Sequence, residues 1–208
     1  MKKGGKKYIS LPLERWRGIL PNLFEADIIL VHTRGNFIRY LIRKLTNSYW
    51  DHVAMVLFPK DYSRGRHYNQ IVEAVYPRGI EIHKLDKYFK DPDRYDVGIK
   101  RIPQLDDQTR TRVVQFMLMN VDAPYYKGSV VRFILAFLFK KFSAKFLMKQ
   151  RFCSSSFVQK SYYDAVNWEQ KNRMIFRNDF ISSMELHITT PADIAKSNNA
   201  KWIYNKKV

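Results

Sequence analysis

The sequence predicts an α+β domain in which helices pack on a largely antiparallel sheet or small barrel, and three observations carry that prediction. Short apolar, β-branched runs recur between turn signals, as in Asp27-Ile28-Ile29-Leu30-Val31-His32 and Gln70-Ile71-Val72-Glu73-Ala74-Val75. Segments of helical period stand between and after them. The chain of 208 residues is 46% hydrophobic and 15% aromatic, ample for a core in one domain and too apolar for global disorder.

The elements follow in order. Residues 1–24 read as a basic N-terminal extension, with Pro12 and Pro21 bounding a short helix, and residues 25–208 as a single domain. After the strand at Asp27–His32, Asn36 to Leu45 sets Phe37, Tyr40, Leu41 and Leu45 among Arg39, Arg43 and Lys44, an amphipathic helix. Strands are predicted at His52–Phe58 and Gln70–Tyr76, joined by a polar loop. Pro77-Arg78-Gly79 is a turn, and Ile80-Glu81-Ile82-His83 alternates as the next strand. Tyr95 to Ile102 is a further strand. Asp106 to Asn120 is a helix whose acidic first turn suits the helix dipole. Beyond Pro124, an aromatic and basic helical insertion is expected near 129–149, and then a helix over roughly 153–166. Thr190-Pro191-Ala192-Asp193 opens a short helix, and Trp202-Ile203-Tyr204 forms the last strand.

Charge is the second prominent feature. With 37 Lys+Arg against 19 Asp+Glu, the net charge is +18. Such an excess favours anionic partners, including an anionic membrane surface. No acidic residue occurs between Asp122 and Asp164, a stretch holding Lys127, Arg132, Lys140, Lys141, Lys145, Lys149, Arg151 and Lys160. No aromatic-basic nucleic-acid motif is present, so no specific nucleic-acid partner is expected. The apolar run Val130 to Phe139 is too short and interrupted to span a bilayer, which takes ~20 apolar residues. It suits a core helix with a basic outer face better than a membrane-surface helix. A single cysteine leaves no intrachain disulfide, and no signal-peptide pattern follows the basic start. Both fit a cytoplasmic protein, peripheral to the membrane at most.

Three side chains stand out chemically. Cys153 precedes Ser154-Ser155-Ser156-Phe157-Val158, a loop turning into a helix, where the helix N-terminus and nearby cations favour thiolate. His52 opens an apolar strand, and imidazole is suited to take a thiol proton and return it to a leaving group. Glu73 is a carboxylate inside Ile71-Val72-Glu73-Ala74-Val75. If the two strands pair antiparallel, it lies within a few residues of His52 and orients the ring. An exposed Glu on a one-sided sheet is the plainer alternative, with Glu81 and Asp51 as second candidates for the orienting role. His32, His67, His83 and His187 have weaker contexts and are assigned ordinary surface or packing roles. One cysteine and scattered histidines give no zinc-ligand spacing, and the glycines match neither a P-loop nor a dinucleotide fingerprint, so no metal and no cofactor is expected.

Together these pieces resemble the circularly permuted branch of the NlpC-type, papain-like superfamily. The nearest subgroup is that of the YiiX/YebB-like hydrolases, related in fold to lecithin:retinol acyltransferase. The matching segments are Asp27-Ile28-Ile29-Leu30, Tyr49-Trp50-Asp51-His52-Val53-Ala54-Met55-Val56, Ile71-Val72-Glu73-Ala74, Ala123-Pro124-Tyr125-Tyr126, Phe152-Cys153-Ser154 and Thr190-Pro191-Ala192-Asp193-Ile194-Ala195. They appear in family order. The resemblance implies a permuted papain-like fold, with Cys153 as nucleophile, His52 as general base and then acid, and Glu73 as third member. It implies that Tyr125 lines the pocket, and Ser154 and Trp50 are assigned with it to substrate binding. Ala26 stands where the family has Gly, Ser155 where many members have Glu, and Asp51 where a small residue precedes the histidine.

The activity so implied is a thiol hydrolase that cleaves an amide bond in a small peptide-like substrate, such as a cell-wall peptide, through a thioester. The first alternative is a thiol acyltransferase or lipase-like enzyme acting on acyl lipids at a membrane surface. The second is a non-catalytic basic protein that binds nucleic acid or an anionic membrane.

Overall fold

The computed structural model describes residues 22–59, 69–124, 154–166, 176 and 189–204. Its centre is a six-stranded antiparallel sheet in which β1 (Ile28–Thr33), β2 (His52–Phe58), β3 (Gln70–Val75), β4 (Gly79–Lys84), β5 (Tyr95–Arg101) and β6 (Lys201–Tyr204) lie in the order β4-β3-β2-β1-β5-β6. The sheet is open, with β4 and β6 at its edges, and does not close into the barrel that the sequence left as the other option. The β4 edge is partly covered: Ile80 N–H donates to Ala123 O at 3.0 Å and Asp122 N–H to Ile80 O at 2.9 Å.

Both sheet faces are covered, which explains why Ile28 to Val31 and Val53 to Leu57 read as continuous apolar runs instead of alternating ones. On one face Ile28, Leu30, Val53, Met55, Val72 and Ala74 join Val113 and Met117 of α2 (Asp107–Met119) and Phe157, Val158 and Tyr162 of α3 (Ser154–Ala165). On the other face Ile29, Val31, Ala54, Val56, Ile71 and Ile99 pack against Leu85, Tyr88 and Phe89. Leu85 and Tyr88 belong to a short 3₁₀ turn, Leu85–Tyr88, which no periodicity in the sequence announces.

Helix α1 (Phe37–Thr46) is turned opposite to the usual sense of an amphipathic helix. Its basic side faces inward: Arg39 donates to Asp51 O at 3.0 Å, and Arg43 donates to Thr33 O at 2.7 Å and pairs with the Asp51 carboxylate. The apolar side is turned out, leaving Phe37, Ile38 and Tyr40 exposed by 72%, 46% and 49%. Asp51, buried and also bonded to Thr33 N at 2.8 Å and Thr33 Oγ1 at 2.9 Å, therefore anchors this helix and does not orient His52.

Two of the sequence departures have local physical explanations. Ala26 sits at φ 64, a left-handed conformation that Gly adopts without steric cost. Ser155 is buried in the first turn of α3 and donates to Thr189 O, a place too closed for a glutamate carboxylate. The Thr190-Pro191-Ala192-Asp193 segment is a capping box at the start of α4 (Pro191–Lys196): Thr190 N–H donates to Asp193 Oδ2 at 2.8 Å, and Asp193 N–H donates to Thr190 Oγ1 at 3.2 Å.

Candidate active site

Strand register brings His52 and Glu73 together. Met55 lies opposite Val72 and Val56 opposite Ile71, so continuing the ladder sets Ala54 opposite Glu73. His52 and Glu73 are then diagonal neighbours on one face, the face covered by the 3₁₀ turn. His52 Nε2 lies 2.6 Å from Glu73 Oε2, and both side chains are buried. The ring's other nitrogen, Nδ1, is buried and has no hydrogen-bond partner among the described residues.

Glu73 is held by more than the histidine. Tyr88 donates its hydroxyl to the same oxygen, Oε2, at 2.6 Å. On Oε1, His83 Nδ1 lies at 2.9 Å and the Lys87 ammonium forms an ion pair. Burial pushes the Glu73 carboxyl up, but bonds from His52 and His83 and the charge of Lys87 outweigh it and hold the group well below 4.5. Burial and then the Arg39 charge hold the His52 imidazolium below 6.5, against the raising effect of Glu73. The pair is thus an ionised carboxylate accepting from a neutral ring. The proton on that ring sits at Nε2, and Nδ1 carries the free lone pair.

The first turn of α3 opens at Ser154, which is buried, directly after Cys153 in the chain. Near the other end of this helix, Tyr162 donates its hydroxyl to Ala26 O, ahead of β1. Cys153 and Tyr125 lie outside the described residues, as does the expected insertion near 129–149. Trp50 is buried in the core, its ring 5.9 Å from that of Trp202. Sequence reasoning selected His52 and Glu73 but missed Lys87 and Tyr88, and it gave His83 an ordinary role. A signal for His83 existed: Glu81 and His83 share one parity of the alternating run Ile80-Glu81-Ile82-His83, and register places Glu81 opposite Glu73.

Among the described residues, no group of three or more His, Cys, Asp and Glu side chains is arranged to hold a metal ion. The carboxylate of this site is already paired with the Lys87 ammonium, which competes with any cation. No described helix is long and apolar enough to cross a membrane.

Comparison with known proteins places the chain in a family and a fold. The profile of the permuted papain-like amidase enzymes, YaeF/YiiX, C92 family, matches residues 22–204. A crystal structure titled metalloprotein YiiX, from Escherichia coli O157:H7, is similar in fold. It has a TM-score of 0.55 and 15% sequence identity, over 87% of this chain and 96% of that one. No curated protein sequence matches the chain.

Proposed function

We propose, because this chain belongs to the YaeF/YiiX, C92 family of permuted papain-like amidases and is accordingly a cysteine amidase-type enzyme, that it cleaves an amide bond in a small peptide-like substrate through Cys153, His52 and Glu73. The observation that carries this reading is the state of His52. Its Nε2 is engaged by a charged carboxylate, and its Nδ1 is buried and unpartnered among the described residues. A base in that state is ready to accept a thiol proton.

In this mechanism Nδ1 takes the proton of Cys153, and the thiolate attacks the amide carbonyl. Backbone N–H groups at the start of α3 receive the developing oxyanion. The Nδ1 proton then passes to the leaving amine as the C–N bond breaks, leaving a thioester. Water, deprotonated by Nδ1, attacks the thioester and releases the acid and the thiol. Glu73 stays charged throughout and stabilises the transient imidazolium. Ser154 and Tyr125 flank the acyl group. Trp50 acts from behind the site, through packing.

The test is iodoacetamide alkylation of Cys153 between pH 5 and 9, in the native chain and in His52→Ala. The reading expects labelling that is fast below the ordinary thiol range near 8.5 and slowed by losing His52. An ordinary thiol titration, unchanged by His52→Ala, overturns it.

A second reading, acyl transfer or hydrolysis on lipids at an anionic membrane surface, is favoured by α1. Its outward Phe37, Ile38 and Tyr40 suit an interfacial layer, and the +18 charge suits an anionic one. Under this reading, phosphatidylglycerol vesicles sediment the protein and Phe37→Ser with Ile38→Ser releases it. Equal recovery of both proteins in the supernatant removes the lipid reading and leaves the peptide one.

A further inference from the structure

We infer that Lys87 and Tyr88 are positioning residues for His52: by holding Glu73 as a fixed, charged acceptor, they decide which ring nitrogen carries the proton. The inference rests on the triad reading above and extends it to the 3₁₀ turn, whose side chains reach the site from outside the paired strands.

A buried carboxylate is costly to keep charged. Glu73 is 1% exposed, and an ionised carboxyl removed from water takes up a proton unless cations and donors replace its hydration. Here the replacement is complete. Oε2 receives His52 Nε2 and the Tyr88 hydroxyl, and Oε1 receives His83 and the Lys87 ammonium. Among the described residues, Lys87 is the one Lys or Arg in direct contact with Glu73. Its side chain is one-third exposed, so it stays solvated while its Nζ reaches the carboxylate.

Removing that cation changes the tautomer as well as the charge. A protonated Glu73 has an O–H to donate, and the nearest acceptor is Nε2 of His52. The ring then bears its own proton on Nδ1, where it can no longer accept one from a thiol. Tyr88 acts in the same direction by fixing Oε2. Burial and the Glu73 charge keep its phenol protonated well above the ordinary 10, so it remains a donor at every working pH.

The other groups facing the cluster are accounted for. His83 from β4 shares Oε1, and its Nε2 lies 3.1 Å from Glu81. Arg39 from α1 acts through space on both His52 and Tyr88. Tyr95 of β5 stacks edge-on against Tyr88, with centroids 5.2 Å apart. None of these supplies a second permanent cation in contact with Glu73.

The experiment uses the full chain labelled with ¹⁵N-histidine, reading the His52 tautomer by NMR and the Cys153 alkylation rate from pH 4 to 9. Wild type is expected to hold the proton on Nε2. Lys87→Met moves the acid limb of thiol reactivity up by about one pH unit or more, the size of losing one close opposite charge. It also shows neutral His52, above its own titration, with the proton on Nδ1 instead of Nε2. Lys87→Arg restores the wild-type limb. Tyr88→Phe, which deletes one oxygen, lowers the reactive plateau about tenfold, as loss of an orienting hydrogen bond does. Folded Lys87→Met and Tyr88→Phe proteins with the wild-type tautomer and profile overturn the inference. If Lys87→Met does not fold, Tyr88→Phe and Lys87→Arg decide. A wild-type thiol that is not activated at all refutes the triad instead, and the NMR tautomer still judges Lys87 and Tyr88.

Discussion

His52 Nε2 and Glu73 Oε2 stand 2.6 Å apart on adjacent antiparallel strands, and among the described residues nothing engages the ring's other nitrogen, Nδ1. The relationship divides the labour between two buried groups. The carboxylate fixes the ring's orientation and tautomer, and the ring keeps a lone pair in a place water does not reach.

Glu73→Gln tests that division directly. Glutamine has the same shape, but it is neutral and faces Tyr88, Lys87 and two histidine nitrogens with one acceptor oxygen instead of two. Turnover is expected to fall by about 100-fold or more, toward the ~10⁴ that neutralising the carboxylate partner of a catalytic histidine costs. The Cys153→Ala protein should be inactive under the same assay. A Glu73→Gln enzyme with unchanged kcat shows that the ring is oriented by its packing alone.

Acid should weaken the fold in two stages. His52 has its folded-state value below 6.5, so its contribution is fully present above 6.5 and is lost as pH falls from there toward the lowered value. Glu73, held well below 4.5, contributes stability above 4.5 that is lost as pH falls through its folded-state value. Urea midpoints should therefore decline from pH 6.5 downward and decline again below 4.5. His52→Gln should shrink the first decline, leaving the share of His32, whose imidazolium burial likewise holds below 6.5, and keep the second. An unaltered upper decline in that variant assigns it to another group.

Much of the fold was legible because the strands are buried on both faces and bounded by turn residues, so runs such as Val53-Ala54-Met55-Val56-Leu57 have one structural reading. Helix starts were legible to within a residue: Asn36 and Asp106, read as the first residues of their helices, are the N-caps, accepting from Arg39 N–H and Thr109 N–H. His52 and Glu73 could be paired because register follows from a simple hairpin-like count. What escaped was set by tertiary packing. The face of α1 that turns inward is chosen by the buried Asp51, not by hydrophobicity. Lys87 and Tyr88 sit in a 3₁₀ turn with no periodicity to reveal it, and open sheet or barrel is decided by strand pairing far apart in sequence.

Gly98→Ala is expected to disturb the support behind the site. A Cβ at this position meets Trp50 Cη2 at 2.8 Å and Trp202 Cζ3 at 2.9 Å, closer than real contacts allow. Both indoles are packed together, so the methyl has to displace at least one of them, costing about 1–3 kcal/mol. Trp50 lies two residues before His52, and its displacement should also slow Cys153 alkylation. Trp202→Leu on the Gly98→Ala background reopens space and should recover part of the stability. Urea unfolding of the single and double variants measures both effects, and an unaffected Gly98→Ala protein shows that the indoles yield freely.

Lys100→Met separates stability from catalysis. Lys100 is buried on β5, and its ammonium donates to Ile194 O at 2.9 Å, Ala195 O at 3.0 Å and Ser197 O at 2.7 Å. These carbonyls end α4, the negative end of a helix too short to hold itself, and the ammonium also lies 5.0 Å from the Trp202 ring. Methionine keeps the aliphatic stem and deletes the donors, leaving three acceptors to find water or remain unsatisfied. The expected loss is about 2 kcal/mol in urea unfolding. Because Lys100 lies across β1 from the His52 strand and makes no contact with Glu73, the alkylation profile of Cys153 should be unchanged in the folded variant. A shifted profile means instead that the 189–204 segment reaches the reactive thiol, and that Ser155, bonded to Thr189 O in the first turn of α3, is the route by which it does so.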